Sequence, residues 1–218
     1  MKLYDLLVIG GGFSSIAFVS NLLKSGFKGK VAIVEAGRNL GGRCSLKSSV
    51  RNIDWKIHHG SPNFNIYKDS KDSLISEFLV DLLSRKLISK ENSYFFEIDE
   101  NFNFLTNPRN DFYKGIIYKA SSSMSNLLLK LVEIYDINKL VDIFFSTLIV
   151  DLDYLDNKWR LTTNSGEQFY CKFLILSSNL ILHNRSKTIL SRNYVPIQNV
   201  LIKNNNTQFH KLIKDVNN

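Results

Sequence analysis

Apolar residues near the N-terminus fall in short continuous blocks, Leu6-Leu7-Val8-Ile9 and Val31-Ala32-Ile33-Val34. Blocks of this length, bounded by glycines, predict strands. Between them, Gly10-Gly11-Gly12-Phe13-Ser14-Ser15 leads into a helix-like stretch over 16–24 that ends before Gly26. Further on, Leu74, Ile75, Phe78, Leu79, Leu82, Leu83 and Leu87 recur at helical spacing and predict an amphipathic helix over 73–87. Ser121-Ser122-Ser123 ahead of Met124 and Leu127 to Leu129 predicts a second, capped helix. The pattern then turns to strands over 140–145, 147–155, 158–163 and 168–176, with turns at Asp156-Asn157 and Ser165-Gly166. Alternation at Ile53, Trp55 and Ile57 suggests a short strand, while the polar stretch 45–51 reads as a loop. Tyr194-Val195-Pro196-Ile197-Gln198 and the residues to 202 suggest a strand of a second sheet, and 203–218 a frayed tail. The order predicts a parallel sheet of strands near 4–9, 31–35, 141–145 and 173–177, carrying an antiparallel meander over 147–170.

Strand, glycine turn, helix, strand and then an acid, Glu35, is the order of a dinucleotide-binding βαβ unit. Each part has a physical task. Gly10 permits the sharp turn, and Gly12 lets the backbone approach a pyrophosphate that a side chain would block. The N–H groups near Phe13 and Ser14 face the negative charge. Ser15 replaces the third glycine, at a position that governs close helix–strand packing. Glu35 can accept hydrogen bonds from ribose hydroxyls and disfavours a 2′-phosphate, whereas Arg38 argues the other way or is a solvated loop cation. Gly10, Gly11, Gly12, Phe13, Ser14, Ser15, Glu35 and Ala36 form the candidate cofactor-binding set. A tight turn in an unrelated α/β domain is the alternative.

Composition changes this picture little. The chain has 218 residues, 44% of them hydrophobic and 22% charged, as in ordinary globular domains. The net charge of +8 raises nucleic acid and membrane surfaces as partners, but the lysines are scattered, with no basic block. Neither partner is therefore expected. No apolar stretch has the length of a bilayer span. Met1-Lys2-Leu3-Tyr4-Asp5 leads straight into the first strand, and no cleavable signal peptide is expected. Cys44 and Cys171 form neither a disulfide framework nor a metal spacing, which suits a cytoplasmic protein. Adjacent His58 and His59 would face opposite ways on a strand and make a poor metal pair. No Ser-His-Asp set stands out.

The second diglycine, Gly41-Gly42-Arg43, resembles the "GGR" element of FAD-dependent oxidoreductases of the flavin amine oxidase superfamily. His59, Gly60 and Phe64 resemble, in part, a flavin-side element of its renalase-like branch, and Met124-Ser125 match the start of a helix there. The resemblance covers residues 3–180. It implies an α/β Rossmann-like FAD/NAD(P)-binding domain with a partial substrate domain. The nucleotide domain would take residues 1–60 and 139–180, the insertion 61–138, and the second sheet with the tail 181–218. It implies FAD as cofactor, with Gly42, Arg43, His59 and Gly60 as contacts and the backbone of Leu148 at the adenine. Trp159 would be structural, and the aromatic 94–118 region would begin a substrate-facing insertion. The implied activity is hydride transfer from a small reduced substrate, an amine or a dihydronicotinamide, to flavin, a step that needs no protein nucleophile or metal. The family's C-terminal Gly-Asp element has no counterpart here. This leaves open a dinucleotide-binding module without turnover of its own, a second chain that completes the site, or a nicotinamide-dependent enzyme.

Overall fold

The computed structural model describes residues 2–48, 56–58, 60–66, 73–92, 98–105, 115–198 and 200. In chain order the elements are β1 (Lys2–Ile9), α1 (Phe13–Lys24), β2 (Val31–Val34), β3 (Leu46–Ser48), β4 (Lys56–His58) and β5 (Asn63–Ile66). They continue with α2 (Ser73–Ser84), β6 (Ile88–Lys90), β7 (Ile116–Ala120), α3 (Met124–Ile134) and α4 (Ile137–Leu140). The last are β8 (Val141–Phe144), β9 (Ile149–Leu155), β10 (Lys158–Thr163), β11 (Gln168–Leu176) and α5 (Ser186–Ile189). The chain divides into two compact units, Met1–Gly42 with Leu131–Asn218, and Arg43–Lys130.

The first unit holds a six-stranded sheet in the order β8-β2-β1-β11-β10-β9. β1 runs parallel to both β2 and β11, with Leu6 opposite Val31 and Phe173, and β8 extends the parallel set beside β2. β10 is antiparallel to both β9 and β11. The expected parallel strands are all present, and so is the meander. The strand expected over 168–176 is β11, which serves both as the meander's third strand and as the last parallel strand. Its first half, from Gln168 to Cys171, pairs with β10, while Phe169 to Leu176 pair with β1. Nine residues are long enough to serve both neighbours, so the meander continues the main sheet.

One face of this sheet carries the core cluster, where Leu7, Ile9, Ala32, Val34, Leu152, Leu161, Phe169 and Cys171 pack with Ile181, Val195 and Ile197. Ile16 and Val19 of α1 are fully buried and lie outside that cluster, which places the crossover helix on the opposite face. The strand expected over 194–202 is corrected here. Pro196 opens a helical turn, and Val195 and Ile197 seal the main core instead of starting a second sheet. Proline lacks the N–H a strand ladder needs and fits the first position of a helix. Residues 201–218, and with them the tail, lie outside the described residues.

The second unit contains a β3–β4 pair and a three-stranded antiparallel sheet, β5-β7-β6. β3 occupies part of the stretch expected as a loop, and it pairs Leu46 with His58. The amphipathic helix expected over 73–87 ends earlier, at Ser84, because Lys86 adopts a left-handed φ of 57°. Its N–H donates to Leu83 and that of Leu87 to Leu82, closing the helix as glycine usually does. Ser123 caps α3 through its hydroxyl, which accepts the Asn126 N–H at 3.1 Å.

Candidate functional site

The glycine turn lies between β1 and α1, at the carboxyl end of the parallel strands. Gly10 has φ +101° and donates its N–H to the Val34 carbonyl at 2.8 Å. Only glycine adopts that backbone readily. Gly12 is different. Its φ of −81° and ψ of −177° suit any residue, and a Cβ added there would meet nothing within 4 Å. Space is left open beside the backbone at the start of a twelve-residue helix that has no acid in its first turn. The positive end of that helix faces this opening, an arrangement suited to an anion. Ser15 is completely buried, and its hydroxyl donates to the Gly10 carbonyl. The departure from a third glycine is therefore satisfied: the serine is small enough to pack and ties the helix to the turn.

Glu35 stands just beyond β2, and its carboxylate is anchored twice. Oε2 accepts the Gly11 N–H and Oε1 the Gly37 N–H, each at 2.6 Å. The acid thus joins the glycine turn to the loop that follows β2, where Ala36 is exposed. Each carboxylate oxygen has a second lone pair available to a hydroxyl donor. The β8–β9 connection is fastened here as well: the Ser146 N–H donates to Gly37 O at 2.8 Å and the Thr147 N–H to Glu35 O at 3.0 Å. This brings Leu148, half-buried, beside the acid, and its carbonyl accepts the Asn164 N–H at 2.9 Å.

The two diglycines meet. The Gly41 N–H donates to Gly11 O at 2.9 Å, and Gly12 and Gly41 form a parallel bridge. Gly42 has φ +51°, and a Cβ on it would sit 3.4 Å from the Gly12 Cα. Together Gly10 to Gly12, Gly41 and Gly42 make a backbone cradle with few side chains on it.

Arg43 and Gly60 come together in the other unit. Arg43 is exposed, and its carbonyl accepts the Ser61 N–H at 2.8 Å. A Cβ on Gly60 would collide with that same carbonyl oxygen. Close packing on Arg43 thus explains the glycine at 60. His59 lies outside the described residues.

Ser178 was not among the expected site residues, yet it packs against the turn. Ser177 and Ser178 both donate their N–H groups to Ile9 O, at 3.0 and 3.1 Å, and a Cβ on Gly10 would lie 3.2 Å from the Ser178 Cβ. Small residues at the exit of the last parallel strand were the available signal. Among the described residues no group of three or more metal-ligating side chains occurs, and no helix is long and apolar enough to cross a membrane. Cys44 is buried, and burial raises its thiol pKa despite the nearby Arg43 charge.

Residues 8–82 match the family described as NAD(P)-binding Rossmann-like domain. The fold is Rossmann-like. Its architecture is shared with a putrescine oxidase variant redesigned at its cofactor site, at a TM-score of 0.56 and 12% identity over 82% of this chain and 59% of that one. A protoporphyrinogen oxidase candidate from Exiguobacterium sp. 255-15 aligns at a TM-score of 0.57 and 13% identity, covering 89% of this chain and 62% of its own. At such identities the likeness is one of fold. The chain spans about three fifths of the length of these two structures. No curated protein matches it by sequence.

Proposed function

We propose that this chain binds FAD and acts as the nucleotide-binding part of a flavin-dependent oxidoreductase. The observation that carries the reading is the open space at Gly12, inside a cradle built from two diglycine segments and closed at one side by Glu35. Gly12 is the N-cap of α1, and the space a side chain would fill there is open to a ligand. The N–H groups at the start of α1 would meet the pyrophosphate, and Glu35 would accept the adenosine ribose hydroxyls. The backbone around Leu148 would border the adenine. When bound, FAD supplies a hydride acceptor for a small reduced substrate such as an amine or a dihydronicotinamide. The finer placement in the renalase-like branch of the flavin amine oxidase superfamily rests on Gly42-Arg43 followed by Gly60 and Phe64.

The matched family supports a second reading, in which NAD(P) is the ligand. Titrating the purified chain with FAD and with NAD separates the two. Quenching of flavin fluorescence by the wild-type chain, lost in Gly12→Val, is the expected result. Binding of NAD with no flavin quenching would favour the second reading. Flavin binding without turnover of any amine or dihydronicotinamide would identify a module that holds cofactor but has no catalysis of its own.

A further inference from the structure

We infer that Arg185, held by Asn179 at the exit of β11, is the cation that receives the pyrophosphate of the bound dinucleotide; this rests on the FAD-binding reading and adds a residue to it. The argument begins with the sheet. β11 and β1 are parallel neighbours, so the exit of β11 emerges at the same end as the glycine turn. Ser177 and Ser178 are tied to Ile9, and Ser178 touches the space beside Gly10. Asn179 is the next residue, one Cα step of about 3.8 Å further on.

From Asn179 the chain folds back on itself. The N–H groups of Leu182 and His183 donate to the Asn179 carbonyl at 3.1 and 2.9 Å. The Arg185 N–H then donates to His183 Nδ1 at 3.1 Å, and the guanidinium Nη2 donates to Asn179 Oδ1. The arginine is therefore anchored to the residue that follows the turn-packing serine. Its anchor is a neutral amide, which fixes direction without cancelling charge. Several other cations of this unit are matched with acids, Lys2 with Glu167, Lys172 with Asp5 and Arg160 with Asp153. Among the described residues no carboxylate lies within ion-pairing distance of Arg185. Most of its guanidinium donors remain available.

A cation at the exit of β11 would complement the cradle. The glycine turn offers only backbone dipoles, while Glu35 places a like charge close to where a doubly charged pyrophosphate would lie. A guanidinium matches phosphate geometry with paired N–H donors and retains its charge at any working pH. Arg185 is exposed and can be reached from solvent.

The test measures FAD quenching and its displacement by ADP and by adenosine, for the wild-type chain and for Arg185→Ala, Arg185→Lys and Asn179→Ala. Arg185→Ala should weaken FAD and ADP about tenfold, the scale of one charge-assisted hydrogen bond, and leave adenosine unchanged. Arg185→Lys should recover part of the loss. Asn179→Ala, which frees the guanidinium without removing it, should show a smaller loss of the same kind. ADP binding should weaken with added salt more steeply in the wild type than in Arg185→Ala. Unchanged ADP affinity in folded Arg185→Ala, or equal losses for ADP and adenosine, would overturn the inference while leaving the FAD reading intact. A wild-type chain that binds ADP but does not quench FAD would overturn the FAD reading instead.

Discussion

Gly10 and Gly12 lie two residues apart and have opposite reasons for being glycine. Gly10 is held at φ +101° with Ser178 close by, so Gly10→Ala carries a strained backbone and a tight contact. We expect it to lower stability by about 1–3 kcal/mol, read by urea denaturation. Gly12→Val has an unstrained backbone and open space, and its stability should stay within about 1 kcal/mol of wild type. Its dinucleotide affinity should fall by on the order of 2–4 kcal/mol, because the side chain fills the space the phosphate needs. A Gly12→Val protein that unfolds, or one that binds as well as wild type, would contradict this division of roles. Cys171 supplies a second test at the same scale. Its thiol is fully buried, and that desolvation pushes its pKa from an ordinary 9.0 up to about 12. The unfolded chain releases the proton first as pH rises through 9. Stability is therefore intact below that pH and declines as pH climbs toward 12. Tyr4 is raised as well, mainly by burial and by its hydrogen bond to Asp142, and acts in the same direction. Cys171→Ala should flatten part of the slope of unfolding free energy between pH 9 and 11.

At the scale of elements, the strand–turn–helix–strand unit and the meander were legible because their cues are local. Continuous apolar runs mark β1 and β2. The glycines mark the turn, and Asp156-Asn157 marks a hairpin whose two residues do take positive φ, 51° and 58°. That hairpin makes its own prediction: Asn157→Gly should stabilise the chain by about 0.4–1 kcal/mol, since glycine occupies that backbone without the side-chain cost, and thermal denaturation would show it. Features set by distant contacts were not legible. Lys86 ends α2 in a conformation more usual for glycine, and nothing in its identity announces that. β11 serves two neighbours at once, which periodicity alone does not reveal. Val195 and Ile197 alternate like a strand, yet they were drawn into the core by a proline-led turn. The site shows the same division. Gly12 and Glu35 were visible from spacing, whereas Ser178 reaches the turn only through the pairing of β11 with β1. Glu35 joins two loops through its carboxylate, so Glu35→Ala should reduce stability by about 1–3 kcal/mol even without ligand, because two N–H groups lose their acceptor. A variant that lost ligand affinity at unchanged stability would show that these two bonds contribute nothing to the fold.

For the whole molecule, the first unit presents a backbone cradle of two diglycine segments joined to Glu35. The described chain spans about three fifths of the two structures that share its architecture. Ligand pockets bury most of their ligand, and affinity falls where a wall is contributed from elsewhere. Apolar side chains also remain uncovered in this unit: Phe173 of β11 is 63% exposed and Phe145, after β8, is 42% exposed. Patches of exposed apolar surface are where partners or further chain segments settle. The 218-residue chain alone should therefore bind FAD at micromolar rather than nanomolar concentrations, with the adenosine half contributing most of the affinity. ADP should then compete nearly as well as FAD, while riboflavin should not compete at all. Titration by flavin fluorescence, repeated across protein concentrations with sedimentation in parallel, reads both outcomes. If affinity tightens together with self-association, a second copy contributes to the site. Tight stoichiometric binding by the monomer, with riboflavin competing, would show that the flavin half is already built into these 218 residues.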